Sequence, residues 1–118
     1  MTTDGSALTI DHMREGRACV VTLKGRVDSN TSADLLARMR ALMVEGERDF
    51  VVDLGGVLYL TSAAFRVLLV ATDEAEARAG RFVLCGLAGH VRDLFEMGGL
   101  LEAFAVRPSR EAALSEFA

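Results

Sequence analysis

Apolar and polar residues change their period several times along the chain, and each change marks an element. Leu8 to Met13 and Ala18 to Lys24 flank Arg14-Glu15-Gly16-Arg17, a turn-like polar group, which reads as a β-hairpin with Cys19, Val21 and Leu23 on one face. Leu35, Leu36, Met39, Leu42 and Met43 then recur at spacings of three and four, the buried stripe of a helix from Thr31 to near Gly46. Thr31 followed by Asp34 resembles a capping box with Asp in place of Glu.

Phe50 to Leu54 is a nearly continuous apolar run, the form of a central strand covered on both faces. Gly55 and Gly56 are expected to break it, with Val57 to Leu60 crossing to the next element. Phe65, Leu68, Leu69, Thr72 and Ala75 form a second helical stripe, and Gly80 supplies a helix C-terminus. Arg81 to Gly86 reads as a strand, and Gly89 to Met97 as a short helix with Val91, Leu94 and Phe95 inward. Leu101 to Val106 is expected as a last strand and Pro108 to Phe117 as a terminal helix.

Helix and strand alternate from Thr31 onward, which argues for an α/β domain with parallel strands, preceded by an antiparallel hairpin. In open α/β sheets, sites gather where strands end and helices begin. Asp28 to Thr31 and Thr61-Ser62 both occupy such junctions and are expected to be neighbours on one edge. Thr61 and Ser62 fall at or beside the N-cap of their helix, where a side-chain oxygen can meet an unpaired N–H and negative charge is favoured. A hydroxyl pair is an ordinary cap in any helix, so by itself this position is structural. It is also physically suited to carry a phosphate.

Composition narrows the function classes. The chain has 118 residues, of which 51% are hydrophobic and one is proline, as expected for one folded core. A formal charge of −4 disfavours nucleic acid, which selects basic patches. Lys24 is the only lysine beside twelve arginines, and exposed arginine anchors protein interfaces well. Met1 to Asp11 has neither the charged nor the apolar region of a signal peptide, and no apolar run approaches the roughly 20 residues that span a bilayer. Cys19 and Cys85 sit in apolar strand contexts with no CxxC or metal-spaced partner, so they read as buried thiols in a reducing compartment, by default the cytoplasm.

No enzyme emerges from the residues. Ser62 lacks a Gly-x-Ser-x-Gly elbow, and His12 and His90 belong to no recognisable triad. Gly55-Gly56 and Gly98-Gly99 form neither a phosphate-binding loop nor a dinucleotide fingerprint, so no cofactor and no metal are expected. Asp53, at a strand end, reads as a support for the local backbone.

The segment from Phe50 to Leu69 resembles the signature of the STAS domain family, the anti-sigma factor antagonists. Three further blocks resemble that family in the right order: Gly25 to Ser32, Phe82 to Leu87 and Val91 to Leu100. The resemblance implies one α/β STAS domain over residues 1–118, a mixed, mostly parallel sheet after an N-terminal hairpin, with about four helices. Its core would run from about 8 to 107, after a loose start over 1–7 and before a C-terminal helix over 108–118. Family members of this type bind an anti-sigma factor serine kinase of the GHKL type. That kinase phosphorylates one serine, and a phosphatase removes the group.

Carried over residue by residue, the phosphoacceptor is Ser62, with Thr61 as second choice. Asp28 corresponds to the acidic residue beside it. The partner surface would comprise Asp28, Ser29, Asn30, Thr31, Thr61, Ala63, Ala64, Phe65 and Arg66. Thr61, Ala63 and Ala64 stand where the family commonly has Asp, Ser and Gly, and the Ala64 methyl would crowd a closely packed partner backbone. An alternative from the same family is an accessory subunit of a lipid or anion transporter complex that docks on an ATPase. A small hydrolase using Ser62 is a third reading, without a visible base.

Overall fold

One antiparallel hairpin and three helix-bearing crossings build the sheet. The computed structural model describes residues 8–117, so the expected loose start over residues 1–7 lies outside the described residues, as does Ala118. Strands β1 (Thr9–Glu15) and β2 (Ala18–Val27) pair antiparallel, with Thr9 opposite Lys24 and Glu15 opposite Ala18. The turn is Gly16-Arg17 alone, tighter than the four-residue turn expected, because Gly16 adopts φ +62°.

Helix α1 (Thr31–Val44) follows, then β3 (Asp49–Leu60), α2 (Ser62–Ala77), β4 (Arg81–Cys85), α3 (Gly89–Met97), β5 (Ala105–Arg107) and α4 (Arg110–Leu114). The strand order is β1-β2-β3-β4-β5, and every pair after the hairpin is parallel. This is the α/β architecture expected, with its antiparallel start and four helices.

Alternation along β2 sorts the core into two layers. Cys19, Val21 and Leu23 join the larger cluster with Val52, Leu54, Leu84 and the inner faces of α1, α2 and α3. Ala18, Val20, Val51, Val83 and Cys85 point the other way and are covered by Ala113 of α4 and by Phe117. Both sheet faces are therefore dry at the centre, which explains the unbroken apolar run of β3. Phe50 and Phe95, both fully buried, each contribute about 1.5–3 kcal/mol by leaving water.

Four expectations need correction. Gly55-Gly56 does not end a strand: β3 runs through it to Leu60, and the pairing with β2 shifts register there between Thr22 and Lys24. A Cβ on Gly56 would stand 2.7 Å from Lys24 Cγ, so glycine serves close strand approach and not a break. The segment expected as a strand from Leu101 is a 3-10 turn at Leu100–Glu102, and only Ala105–Arg107 pairs. The terminal helix starts at Arg110, two residues beyond Pro108, capped by Ser109 Oγ accepting from Ala112 N at 3.1 Å, and gives way to a 3-10 turn at Ser115–Phe117.

The fourth concerns the end of α2. The left-handed residue is Ala79, at φ +64°, and not Gly80. Gly80 N donates to Ala75 O at 2.8 Å and Ala79 N to Glu76 O at 3.0 Å, the paired bonds of a Schellman ending. Glycine is needed at position 80 for another reason: a Cβ there would lie 1.9 Å from Arg48 O.

Candidate functional site

The C-terminal ends of β2 and β3 lie side by side, with Val27 opposite Leu60. The chain leaves both strands at the same level and enters α1 and α2. Thr61 N donates to Val27 O at 3.0 Å, so the loop before α1 and the start of α2 are tied together. The two junctions expected to be neighbours are adjacent, but at the ends of interior strands and not on a sheet edge.

The start of α1 is closed by its own side chains. Asp28 Oδ1 accepts from Asn30 N at 2.9 Å and from Thr31 N at 3.0 Å. Thr31 Oγ1 accepts from Asp28 N at 2.9 Å and donates to Arg26 O at 2.8 Å. The reciprocal pair is thus Asp28 with Thr31, one turn before the Thr31–Asp34 capping box expected from the sequence. Donation by the Thr31 amide, above all, holds the Asp28 carboxyl below the usual range. Ser29 and Asn30 are exposed at the tip of this loop.

The start of α2 is different. Thr61 is its N-cap, with extended backbone at φ −99° and ψ 173°, and its side chain makes no capping bond. Its hydroxyl turns instead to Val27 O at 3.4 Å. Ser62, the first helical residue, is exposed, and no acidic residue occupies the first turn. The positive end of the helix dipole therefore meets solvent with no carboxylate of its own turn. Among the two hydroxyls, the exposed one is Ser62.

Behind Ser62 the helix divides by depth. Ala64 is fully buried, so its methyl packs inward and does not crowd a docking protein. Phe65 is half-buried and meets Phe95 edge-on at 5.0 Å. Ala63 is half-buried and Arg66 exposed. Of the residues read as a partner surface, Ser29, Asn30 and Arg66 reach farthest into solvent.

The sequence reading missed two apolar side chains beside this helix start. Leu58 is 71% exposed and Tyr59 43% exposed, and the Tyr59 ring stacks on His90 at 5.8 Å with 6° between planes. Both fall within the crossing expected after Gly56. In fact β3 continues beyond its last pairing with β4 at Asp53, and this stretch, paired to β2 but not to β4, carries both residues. A run of four apolar residues after two glycines was the available signal.

Other polar groups are engaged structurally. Asp53 Oδ1 accepts from Gly55 N at 2.8 Å, while Oδ2 pairs with Arg110 at 3.0 Å. Arg110 also donates to Thr22 Oγ1 at 2.9 Å, fastening α4 to the sheet. Burial pushes the Cys19 and Cys85 thiols up to about 11. Among the described residues no group of three or more His, Cys, Asp or Glu could hold a metal ion, and no helix is long and apolar enough to cross a membrane. A hollow of about 390 Å³ at the β5 end, lined by Arg92, Phe104 and Arg107 among others, contains none of the residues around Ser62.

Comparison with known proteins agrees with this architecture. Residues 10–107 match the family model described as Mlab, STAS domain. BtrV of Bordetella bronchiseptica, provisionally named an anti-sigma factor antagonist, is 41% identical over 98 residues, covering 83% of this chain and 84% of that protein. The crystal structure of an anti-sigma factor antagonist from Mycobacterium paratuberculosis superposes with a TM-score of 0.85 at 21% identity, over 98% of this chain and 97% of that one. The Bacillus cell fate determinant SpoIIAA in its phosphorylated form gives a TM-score of 0.70 at 20% identity, over 94% of this chain and 99% of that one.

Proposed function

This chain belongs to the STAS domain family, and from that premise we propose that it is an anti-sigma factor antagonist that works by exchange of partners. In its unmodified form it binds an anti-sigma factor serine kinase of the GHKL type. Phosphorylation of Ser62 releases it, and a phosphatase resets it. The protein acts by binding and not by catalysis, as one domain in the cytoplasm, without nucleic acid, cofactor or metal.

The observation that carries this reading is the open start of α2: an exposed Ser62 at the first helical position, no acid in the first turn, and Thr61 turned away to Val27 O. The kinship with BtrV and the likeness to SpoIIAA in its phosphorylated form support it. An unmodified hydroxyl is small and uncharged, so the face from Ser62 through Arg66, flanked by Leu58 and Tyr59, can pack against a partner groove. A phosphate adds about −1.5 to −2 charges and a hydration shell. Set against a closely apposed partner, that costs about 1.4–2.8 kcal/mol, a weakening of roughly 10- to 100-fold.

Incubation with the cognate kinase and ATP tests the proposal by intact mass and complex formation. One phosphate on wild type, none on Ser62→Ala, and kinase binding by Ser62→Ala but not by Ser62→Asp are expected. A protein that is neither modified nor bound by the kinase contradicts it. Binding to an ATPase of a transport complex that survives Ser62→Asp would support the transporter-subunit reading instead.

A further inference from the structure

We propose that Arg66 is a built-in counterion for phosphorylated Ser62, a pairing that rests on the assignment of Ser62 as the modified residue. The two are four residues apart on α2, which puts their Cβ atoms on one face about 5–6 Å apart. Helical side chains lean toward the N-terminus, so Arg66 extends over the turn that carries Ser62. Both side chains are exposed.

Arg66 is also available. Among the described residues no carboxylate forms an ion pair with it, whereas Arg40 is held by Glu74 at 2.6 Å and Arg92 by Glu96 at 3.0 Å. No acid in the first turn of α2 competes for it. The Thr61 hydroxyl faces Val27 O, and Asp28, whose Oδ1 accepts from two amides of its own loop, forms no ion pair with Arg66. A phosphate offers three acceptor oxygens, and a guanidinium meets such a group with two parallel N–H donors.

The consequence is a second component to the switch. Before modification Arg66 is an exposed cation beside half-buried Phe65, and a partner carboxylate would complement it. After modification the same guanidinium folds back onto its own helix. The docking face then loses a cation as it gains an anion.

Phosphorus NMR titration of protein carrying genetically encoded phosphoserine at position 62 tests the pair without any kinase. The charged and titratable groups at the near ends of the adjoining elements are Arg26 and Asp28 around the end of β2, Asp34 in the first turn of α1 and His90 at the start of α3. They are common to all variants, so the difference isolates Arg66. Relative to wild type, Arg66→Gln should raise the midpoint of the second phosphate ionisation by about 0.5 pH units, toward the value near 6 of a free phosphoserine. Arg66→Lys should retain most of the lowering, and equal thermal midpoints of the unmodified variants confirm intact folding. Identical phosphate midpoints in wild type and Arg66→Gln would overturn the proposal. A lowered midpoint in a phosphoprotein that still binds the kinase would instead overturn release by phosphorylation and leave the pair standing.

Discussion

The starts of α1 and α2 are the same structural event carried out twice, and they differ in one respect. Each follows an interior strand, and these two strands, parallel to one another, end opposite each other at Val27 and Leu60. At α1 the chain supplies its own anion: Asp28 takes the amides of Asn30 and Thr31, and Thr31 returns a bond to Asp28 N. At α2 the hydroxyl of the capping residue is turned to Val27 O, and the next residue presents Ser62 to solvent. A helix N-terminus welcomes negative charge in both cases. Where the chain provides that charge, the junction is structural. Where it leaves the place empty, a charge added later can act as a signal.

The comparison can be broken most severely at α2. Ser62→Asp should weaken kinase binding by roughly 10- to 100-fold while Ser62→Ala binds as wild type does, measured by calorimetry. At α1 the expected effect is on stability. Asp28→Ala should lower the thermal midpoint, because two helix-start amides lose their acceptor. The sign with pH follows from the lowered carboxyl. Its stabilising contribution is fully present above the unfolded value of about 3.9 and is lost as pH falls through the lower folded value. Thermal melts of Asp28→Ala between pH 3 and 7 should therefore show a shallower acid limb than wild type.

A smaller effect sharpens the contrast. If the α2 start is an open seat for an anion, Ser62→Asp should stabilise the isolated protein by about 0.3–1 kcal/mol even as it weakens docking. Stability and binding then move in opposite directions at one residue. Denaturant unfolding of the free protein checks this. At the other end of the same helix, Ala79→Gly should add about 0.5–1 kcal/mol, since an alanine now occupies the left-handed position, and it should leave kinase affinity unchanged.

What could be read from the sequence was whatever depends on local period and local chemistry. The stripe from Leu35 to Met43, the bounds of Gly89–Met97 and the place of Thr61 at a cap all follow from spacing along a few turns. What could not be read depends on residues far apart. Gly56 looks like a breaker until Lys24 of the neighbouring strand is seen against it. Leu58 and Tyr59 look like part of a crossing until β3 is seen to outrun β4, leaving Tyr59 to stack on His90. The second layer of the core needs Arg110 to reach Asp53 and Thr22, 57 and 88 residues away. The reciprocal cap lies one turn before the local Thr31–Asp34 pattern because Thr31 can satisfy either arrangement, and only the Asp28 amide decides between them.

The most direct test is the dissociation constant of the cognate kinase for this protein with and without a phosphate on Ser62, measured by calorimetry on homogeneous samples. The account predicts at least about a tenfold loss of affinity on phosphorylation. Equal affinity for the two forms would contradict it.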